Sequence, residues 1–175
     1  KYFYIIGNAY LNHKLTNKIK ELGYYNLSYP EFISKYFKYH KQLCVSGSHG
    51  KTSTSSMLKC LIDDCNYIIG DGSGGCSNND LLVIEACEYK NTFLNYDPYV
   101  SLVLNVDYDH PDFFKSLDEY VESFVKLMEK SLIVIVNGDD ANIKKINLDG
   151  VITYGMNSYN NYIFKVIEGR NKTIV

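Results

Sequence analysis

The sequence predicts an α/β fold with a mostly parallel sheet flanked by helices. Two observations support this prediction. Several short apolar runs show no polar alternation, as expected for strands that are covered on both faces of a parallel sheet. These runs are QLCVS, YII, LLVIEA, VSLVLNV, LIVIV and VITYG. Segments with apolar residues at helical spacing lie between some of them, which indicates that helices cover the sheet.

The first forty residues predict a strand followed by a helix. YFYIIG at 2–7 is a short apolar run that ends in glycine. The next segment repeats apolar residues at the spacing of one helix face, and Gly23 follows its end. The residues of this face are Leu15, Ile19 and Leu22.

Two further helices are predicted by their N-terminal capping residues. Ser28 followed by Glu31 indicates a capping box for a helix over about 30–39, and Ser116 followed by Glu119 marks the start of another helix. Apolar residues then recur at helical spacing. They are Phe32, Ile33, Tyr36 and Phe37 in the first helix, and Val121, Phe124, Val125 and Met128 in the second.

The composition is that of an ordinary globular protein. Its 175 residues are 46% hydrophobic and 22% charged, and the formal net charge of -2 gives no basic surface for nucleic acid. Five cysteines without a C-x-x-C pair favour neither a disulfide framework nor a zinc site. No apolar run approaches the roughly 20 residues of a membrane span. We therefore expect a cytoplasmic protein without nucleic-acid partners or membrane insertion.

A glycine loop separates the strand QLCVS from the predicted helix KTSTSSMLKCLID. The loop, Gly47-Ser48-His49-Gly50-Lys51-Thr52, has two residues between its glycines, where the common phosphate loop has four. N–H groups at the helix start can still bind phosphate, Lys51 supplies a positive charge, and Thr52 offers a hydroxyl to Mg²⁺. The alternative is a tight turn with an exposed lysine. A second glycine-rich turn, GDGSGG at 70–75, is a weak signal by itself.

Acidic residues and a histidine follow the next two strands. Glu85 ends an apolar run, and a carboxylate there is costly to bury unless it meets a cation. Mg²⁺ prefers such oxygen ligands, although a strand-end glutamate facing water is the alternative. We expect Glu88 to be solvated or to face a substrate. His110 could bind phosphate or a metal, or be structural. Its neighbours are Asp107, Asp109 and Asp112.

Five segments, in this order, resemble the central ATP-binding domain of the Mur ligases of peptidoglycan synthesis. They are GSHGKTST, VIEACEY, FLNYDP, LNVDYDHPDFF and NGDD. The resemblance implies a P-loop-type ATP-binding domain with ATP and Mg²⁺ as cofactors. It implies an ATP loop formed by Gly47, Ser48, His49, Gly50, Lys51, Thr52 and Ser53. It implies Thr52, Glu85 and His110 as metal ligands, and Lys51, Glu85 and His110 as catalytic residues.

The resemblance also implies a reaction. In this family a carboxylate attacks the γ-phosphate of ATP to give an acyl phosphate, and an amino group then displaces phosphate to form an amide. His49, the E-A-x-E run at 85–88 and the direct step from EYKNTFL to NYDP favour a ligase that joins L-alanine to UDP-N-acetylmuramate. The alternatives are a related Mur-type or folylpolyglutamate-type ligase, and a nucleotide-binding module without ligase activity.

The resemblance covers the chain from end to end and implies two parts. Residues 1–40 resemble the C-terminal part of an N-terminal Rossmann-like nucleotide-sugar domain, and residues 41–175 resemble the central domain, incomplete at its C-terminus. Because the chain begins at Lys1 and ends at Val175 within an apolar alternation, we expect it to be a fragment of a longer protein. We expect this fragment to bind nucleotide weakly and to synthesise little or no amide.

Overall fold

The computed structural model describes residues 2–147, 149–169 and 172–174. Helices and strands alternate along most of this part of the chain. In chain order they are β1 (Tyr4–Ile6), α1 (Lys14–Glu21), β2 (Asn26–Ser28), α2 (Tyr29–Tyr36), β3 (Lys41–Ser46), α3 (Lys51–Leu61), β4 (Asn66–Ile68), β5 (Gly74–Gly75), β6 (Leu81–Glu85), β7 (Pro98–Val103), α4 (Leu117–Glu129), β8 (Ile133–Asn137), β9 (Ile152–Gly155), β10 (Tyr162–Ile163), β11 (Ile167–Gly169) and β12 (Lys172–Ile174).

Eight strands form one sheet in the order β10-β9-β8-β7-β3-β6-β4-β5. Within it, every neighbouring pair is parallel except β4 with β5. The predicted mostly parallel sheet is therefore confirmed. The central strand β3 pairs Val45 with Glu85 of β6 on one side and with Leu102 of β7 on the other. The carboxyl ends of these three strands consequently lie side by side, where parallel α/β sheets bind their ligands.

Helices pack against both faces of the sheet. Cys44 and Leu82 belong to a large core that also contains Phe124 of α4. Val45 and Val83 are equally buried but lie outside that core, because successive side chains of a strand point to opposite faces. The helix α3 packs against β3 and β6 and covers this second face. Burial on both faces explains why these strands are continuously apolar.

The helix α4 confirms the predicted capping but shifts the predicted buried face. Ser116 accepts a hydrogen bond from the N–H group of Glu119 at 3.1 Å. The residues of α4 that are buried are Tyr120, Ser123, Phe124, Leu127 and Met128. Val121 and Val125 are partly buried at the edge of the core. The buried face thus includes a tyrosine and a serine, which the apolar spacing did not reveal.

The N-terminal residues form a separate two-stranded parallel sheet of β1 and β2. The predicted strand and both predicted helices are present. The side chains of Leu15 and Leu22 are largely exposed, so the apolar face of α1 is not a core face here. The predicted capping box of Ser28 begins α2, but this helix ends at Tyr36 rather than near residue 39. Ile33 is fully buried in the main core, and α2 packs against the 3₁₀ segment Tyr89–Asn95 as well as against β1 and β2.

The predicted apolar run VITYG forms β9, and three short strands follow it. β9 and β10 extend the large sheet, and β11 and β12 form an antiparallel pair. Residues 148, 170, 171 and 175 lie outside the described part of the chain. Within the part that is described, no helix is both long enough and apolar enough to cross a bilayer.

Candidate functional site

The glycine loop joins the end of β3 directly to the start of α3. Gly47 has a φ of 141° and Gly50, the N-cap of α3, has a φ of 82°, both values that favour glycine. A Cβ atom on Gly47 would lie 3.1 Å from the Cβ of Leu104 and 3.2 Å from the backbone N of Asn105. A larger residue at position 47 would therefore push the loop away from the segment that follows β7.

Polar contacts fix the loop to that segment. The amide oxygen of Asn105 accepts from His49 N–H at 2.8 Å, and its Nδ2 donates to the carbonyl of His49 at 3.1 Å. The Oγ of Ser48 accepts from Asp107 N–H at 2.8 Å and lies 2.7 Å from the Asp107 carbonyl. The His49 imidazole itself is largely exposed, 3.8 Å from the Asp107 carboxylate. The loop conformation is thus held by side chains from outside the loop.

Some of the backbone N–H groups that were predicted to bind phosphate already donate hydrogen bonds within the protein, and others do not. The N–H group of His49 is already bound to Asn105, and that of Ser48 donates to the Asn105 carbonyl at 3.2 Å. The N–H groups of Lys51, Thr52 and Ser53 belong to the first turn of α3, where helix geometry provides no acceptor. The first turn of the helix, rather than the tip of the loop, therefore presents donors to an anion.

The structure brings Thr52 and Glu85 into contact. The hydroxyl of Thr52 donates to Oε1 of Glu85 at 3.1 Å. The other carboxylate oxygen of Glu85 accepts from the N–H group of Gly70 at 2.8 Å. A Cβ atom on Gly70 would lie 2.6 to 2.7 Å from this carboxylate. The glycine-rich turn at 70–75 therefore orients Glu85 by approaching it closely.

The Thr52 and Glu85 oxygens fit a magnesium ion that is shared with a phosphate. Both are hard oxygen donors, and Mg²⁺ is commonly held by one or two carboxylates together with substrate phosphates and water. Among the described residues, no cluster of three or more His, Cys, Asp or Glu side chains could hold a metal by itself. The donor set thus suits a metal that arrives with a phosphorylated ligand.

Lys51 and His110 meet at Glu88. The side chain of Glu88 is only 1% exposed, with its Oε2 3.0 Å from Lys51 Nζ and its Oε1 3.4 Å from His110 Nε2. The expectation that Glu88 is solvated is therefore wrong. Glu88 directly precedes the segment Tyr89–Asn95, in which a kink at Lys90 and Asn91 interrupts the 3₁₀ conformation and in which Phe93 is fully buried.

His110 is held in an unusual geometry. Its φ of 56° is in the left-handed region, which is costly for a residue with a side chain. The ring of Tyr89 packs on its imidazole at a centroid distance of 4.5 Å. The Tyr89 hydroxyl donates to Asp112 at 2.6 Å, and this hydrogen bond lowers the pKa of Asp112. Among the contacts of the described residues, none joins His110 to Thr52 or Glu85, so its role as a metal ligand stays a prediction.

Sequence reasoning missed Asn105 and Tyr89, which support His49 and His110, and it did not foresee that Glu88 pairs with Lys51. Asn105 is the first polar residue after β7, in the run LNVDYDH, and its position at a strand end was the available signal. Glu88 ends the run EACE, which begins at the last residue of β6. Tyr89 carried no signal, because an isolated tyrosine in a chain with 17 tyrosines is unremarkable.

A cavity of about 470 Å³ lies beside the carboxylate of Glu85. Tyr29, Cys87 and Tyr96 line one part of it, and Gly7 and Asn8 from the N-terminal residues line another. The Nδ2 of Asn8 donates to the hydroxyl of Thr92 at 2.8 Å, which ties the two parts of the chain together at this cavity. A ligand in the cavity would lie next to the candidate metal site.

The fold and the site define an α/β domain with a glycine loop at the carboxyl end of its central strand. The family model described as the Mur ligase middle domain matches residues 75–173. The chain therefore belongs to the Mur ligase family.

Solved structures of Mur ligases share this fold. The UDP-N-acetylmuramate:L-alanyl-gamma-D-glutamyl-meso-diaminopimelate ligase (MPL) from Neisseria meningitides is 25% identical, with a TM-score of 0.75 over 87% of this chain and 58% of that one. The UDP-N-acetylmuramate-alanine ligase MurC from Thermotoga maritima is 21% identical, with a TM-score of 0.74 over 87% of this chain and 38% of that one. A MurF ligase from Thermotoga maritima in complex with ADP is 17% identical, with a TM-score of 0.66 over 82% and 40%. The chain thus spans little more than half, or less, of the length of these ligases.

Proposed function

We propose that this chain is the nucleotide-binding part of an ATP-dependent amide ligase of peptidoglycan precursor synthesis. The observation that carries the proposal is the contact between the Thr52 hydroxyl and the Glu85 carboxylate at the start of α3, beside Lys51. A magnesium-bound triphosphate requires oxygen ligands for the metal and positive charge for the phosphates. The hydroxyl and the carboxylate supply the ligands, and the lysine at the helix N-terminus supplies the charge. Membership of the Mur ligase family supports the same conclusion.

The proposed work of the chain's own residues is to position and neutralise the phosphates. The first-turn N–H groups of α3 point at the anion, and Lys51 adds a fixed positive charge where the γ-phosphoryl group moves. Thr52 and Glu85, with His110 as the third predicted ligand, would hold Mg²⁺, which supplies further charge neutralisation when it is bound. A carboxylate substrate activated as an acyl phosphate is then open to attack by an amine.

The cavity and two features of the sequence support a proposal for the carboxylate substrate and for the amine substrate. We propose UDP-N-acetylmuramate as the carboxylate substrate, with its reacting end in the cavity beside Glu85. L-alanine is proposed as the amine because of His49 and the direct step from EYKNTFL to NYDP. A ligase for a longer peptide is the second candidate, and the 25% identity to the Neisseria ligase, which carries a tripeptide in its name, favours it.

We also propose that residues 1–40 are the end of a preceding nucleotide-sugar domain and that residues 41–175 belong to the central domain. The two-stranded sheet of β1 and β2 is separate from the large sheet, which supports the first part. In relatives that are longer than this chain, the additional residues would complete the substrate and adenine sites. The isolated chain is therefore expected to bind nucleotide weakly and to synthesise little or no amide.

The proposal is tested by nucleotide binding. Isothermal titration calorimetry of the chain with ADP should show binding that requires Mg²⁺ and disappears with a chelator. Lys51→Met should weaken this binding at least about hundredfold, because the charge at the phosphates is lost. Lys59→Met is the matched control, since Lys59 lies exposed on the same helix, over the ring of Tyr67.

An equal affinity of the Lys51→Met variant and the unaltered chain would contradict nucleotide binding at this loop. Because the isolated chain is expected to synthesise little or no amide, the two substrate candidates are separated with a longer protein that carries this chain together with its flanking domains. The measurement is phosphate release from ATP in the presence of UDP-N-acetylmuramate. Release that requires L-alanine supports the first candidate, and release that requires L-alanyl-gamma-D-glutamyl-meso-diaminopimelate supports the second.

A further inference from the structure

Glu88 is the one charged residue that is buried in the described part of the chain. Burying a carboxylate is costly unless cations compensate for the lost hydration. Glu88 has two cationic or potentially cationic neighbours, Lys51 and His110, and both were predicted from the sequence to contact phosphate or metal. Its carboxylate therefore lies among groups that the proposed function assigns to the nucleotide.

The ammonium group of Lys51 is fully engaged in this structure. Its Nζ donates to the carbonyl of Gly47, to the carbonyl of Ser48 at 3.3 Å and to Oε1 of Glu88 at 3.2 Å. An ammonium group has three N–H donors and no more. A phosphate oxygen can therefore bind Lys51 directly only if one of these three acceptors gives way.

Glu88 is the acceptor most easily exchanged. The two carbonyls belong to the loop that carries Lys51, so they move with it and stay close to the ammonium group. One oxygen of Glu88, Oε2, lies 3.0 Å from Lys51 Nζ yet receives no well-directed hydrogen bond from any described residue. The Lys51–Glu88 pair thus has one hydrogen bond, through Oε1, and otherwise rests on charge, which a phosphate can supply in place of the carboxylate.

We propose that Glu88 is a positioning residue that serves as the counter-ion of Lys51 and gives way to a phosphate oxygen when nucleotide binds. The proposal rests on the proposed nucleotide binding. In the absence of nucleotide, Glu88 keeps the ammonium group at the loop. In its presence, Lys51 pairs with phosphate, and Glu88 keeps its contact with His110. Because Glu88 competes with the phosphates, its negative charge lowers nucleotide affinity.

The test compares the binding of Mg·ADP by the chain and by Glu88→Gln, which keeps the side-chain shape and removes the charge. The variant is expected to bind about tenfold more tightly, because it no longer competes for Lys51 or repels the phosphates. Glu122→Gln is the matched control, since this exposed glutamate pairs with Lys126 on α4, and it should leave the affinity unchanged. A residue that merely supported the fold would not tighten binding when altered.

A second measurement needs no nucleotide. The melting temperatures of Lys51→Met, Glu88→Gln and the double variant form a double-mutant cycle. Removing one partner leaves a buried charge unpaired, whereas removing both does not. The double variant is therefore expected to melt above Lys51→Met, in which the Glu88 carboxylate is buried without its ammonium partner, and this comparison stays usable even if Glu88→Gln folds poorly.

Affinity in Glu88→Gln that equals or falls below that of the unaltered chain overturns the proposal. Additive losses of melting temperature in the cycle overturn it as well, because they show that Glu88 and Lys51 are not coupled. If the proposed nucleotide binding is wrong, the result is different, because the unaltered chain itself then shows no Mg²⁺-dependent ADP binding. The melting temperatures of the cycle still measure the coupling between Lys51 and Glu88 in that case.

Discussion

Two pairs of acidic residues lie at strand ends of the same sheet, and their partners differ. Glu85 ends β6 and Glu88 lies three residues further on, and together they contact a hydroxyl, a lysine and a histidine. Asp139 and Asp140 follow β8 and contact backbone N–H groups and neutral side chains. The first pair therefore lies among groups that can bind metal and phosphate, whereas the second pair joins loops together.

Asp139, from the second pair, has the contacts of an acidic residue with a structural role. Asp139 accepts hydrogen bonds from Met156 N–H at 2.6 Å, from the amides of Asn157 and Asn160 at 2.7 and 2.9 Å, and from the Tyr159 hydroxyl at 3.1 Å. These donors, led by Asn157, hold the pKa of Asp139 well below its usual range. A carboxylate satisfied by neutral donors has little reason to bind a cation. The partners of an acidic residue, rather than its location at a strand end, therefore distinguish a metal- or phosphate-binding acid from a structural one.

Among changes that test the comparison of the two acidic pairs, the largest effect on nucleotide binding should come from Glu85. Glu85→Gln removes the proposed carboxylate ligand of Mg²⁺ with almost no change of shape, and we expect Mg·ADP to bind about hundredfold more weakly. Calorimetry with and without Mg²⁺ checks this, and the variant should have lost most of the metal dependence. If the affinity for Mg·ADP falls less than about threefold, Glu85 is a structural acid like Asp139.

A smaller effect is expected from Gly70→Ala. The added methyl group would meet the Glu85 carboxylate at 2.6 to 2.7 Å and displace it, while the flexible side chain limits the cost in stability. We expect about tenfold weaker binding of Mg·ADP, the order of magnitude seen when groups that orient metal ligands are altered. Gly74→Ala is the control from the same turn, since its Cβ would meet Tyr67 O at 3.4 Å. Equal affinities in the two variants would refute the orienting role of the turn.

The smallest effect on binding is expected from Asp139→Ala. Nucleotide affinity should change by less than about twofold, whereas the melting temperature should fall by roughly 5 °C because several hydrogen bonds to a charged group are lost. Calorimetric binding and thermal unfolding of the same sample check both statements. A large loss of affinity with unchanged melting would reverse the assignment of the two acidic pairs.

The stabilisation by Asp139 should also depend on pH. Its pKa is lower in the folded chain than in the unfolded chain, so its contribution is fully present above the unfolded value of about 3.9 and is lost as the pH falls through the folded value. The difference in melting temperature between the chain and Asp139→Ala should be constant from about pH 7 to 5 and should shrink below about pH 4. A difference that grows in acid would contradict this account.

The fold was largely predictable because its signals are local. Continuous apolar runs predicted β3, β6, β7 and β8, and capping residues predicted the starts of α2 and α4. The exposed apolar face of α1 was not predictable, because periodicity shows that a face is apolar and does not show what covers it. For the same reason the spacing in α4 did not reveal that Tyr120 is buried.

The sequence by itself determined the glycine loop, Lys51 and Thr52, because these residues are consecutive and a strand-to-helix turn places them together. Only the tertiary structure decided their partners. Glu88 reaches Lys51 across 37 positions of the chain, and Asn105 reaches His49 across 56. Such contacts follow from the order of strands in the sheet, and parallel neighbours that are distant in sequence leave no local pattern from which their pairing can be predicted.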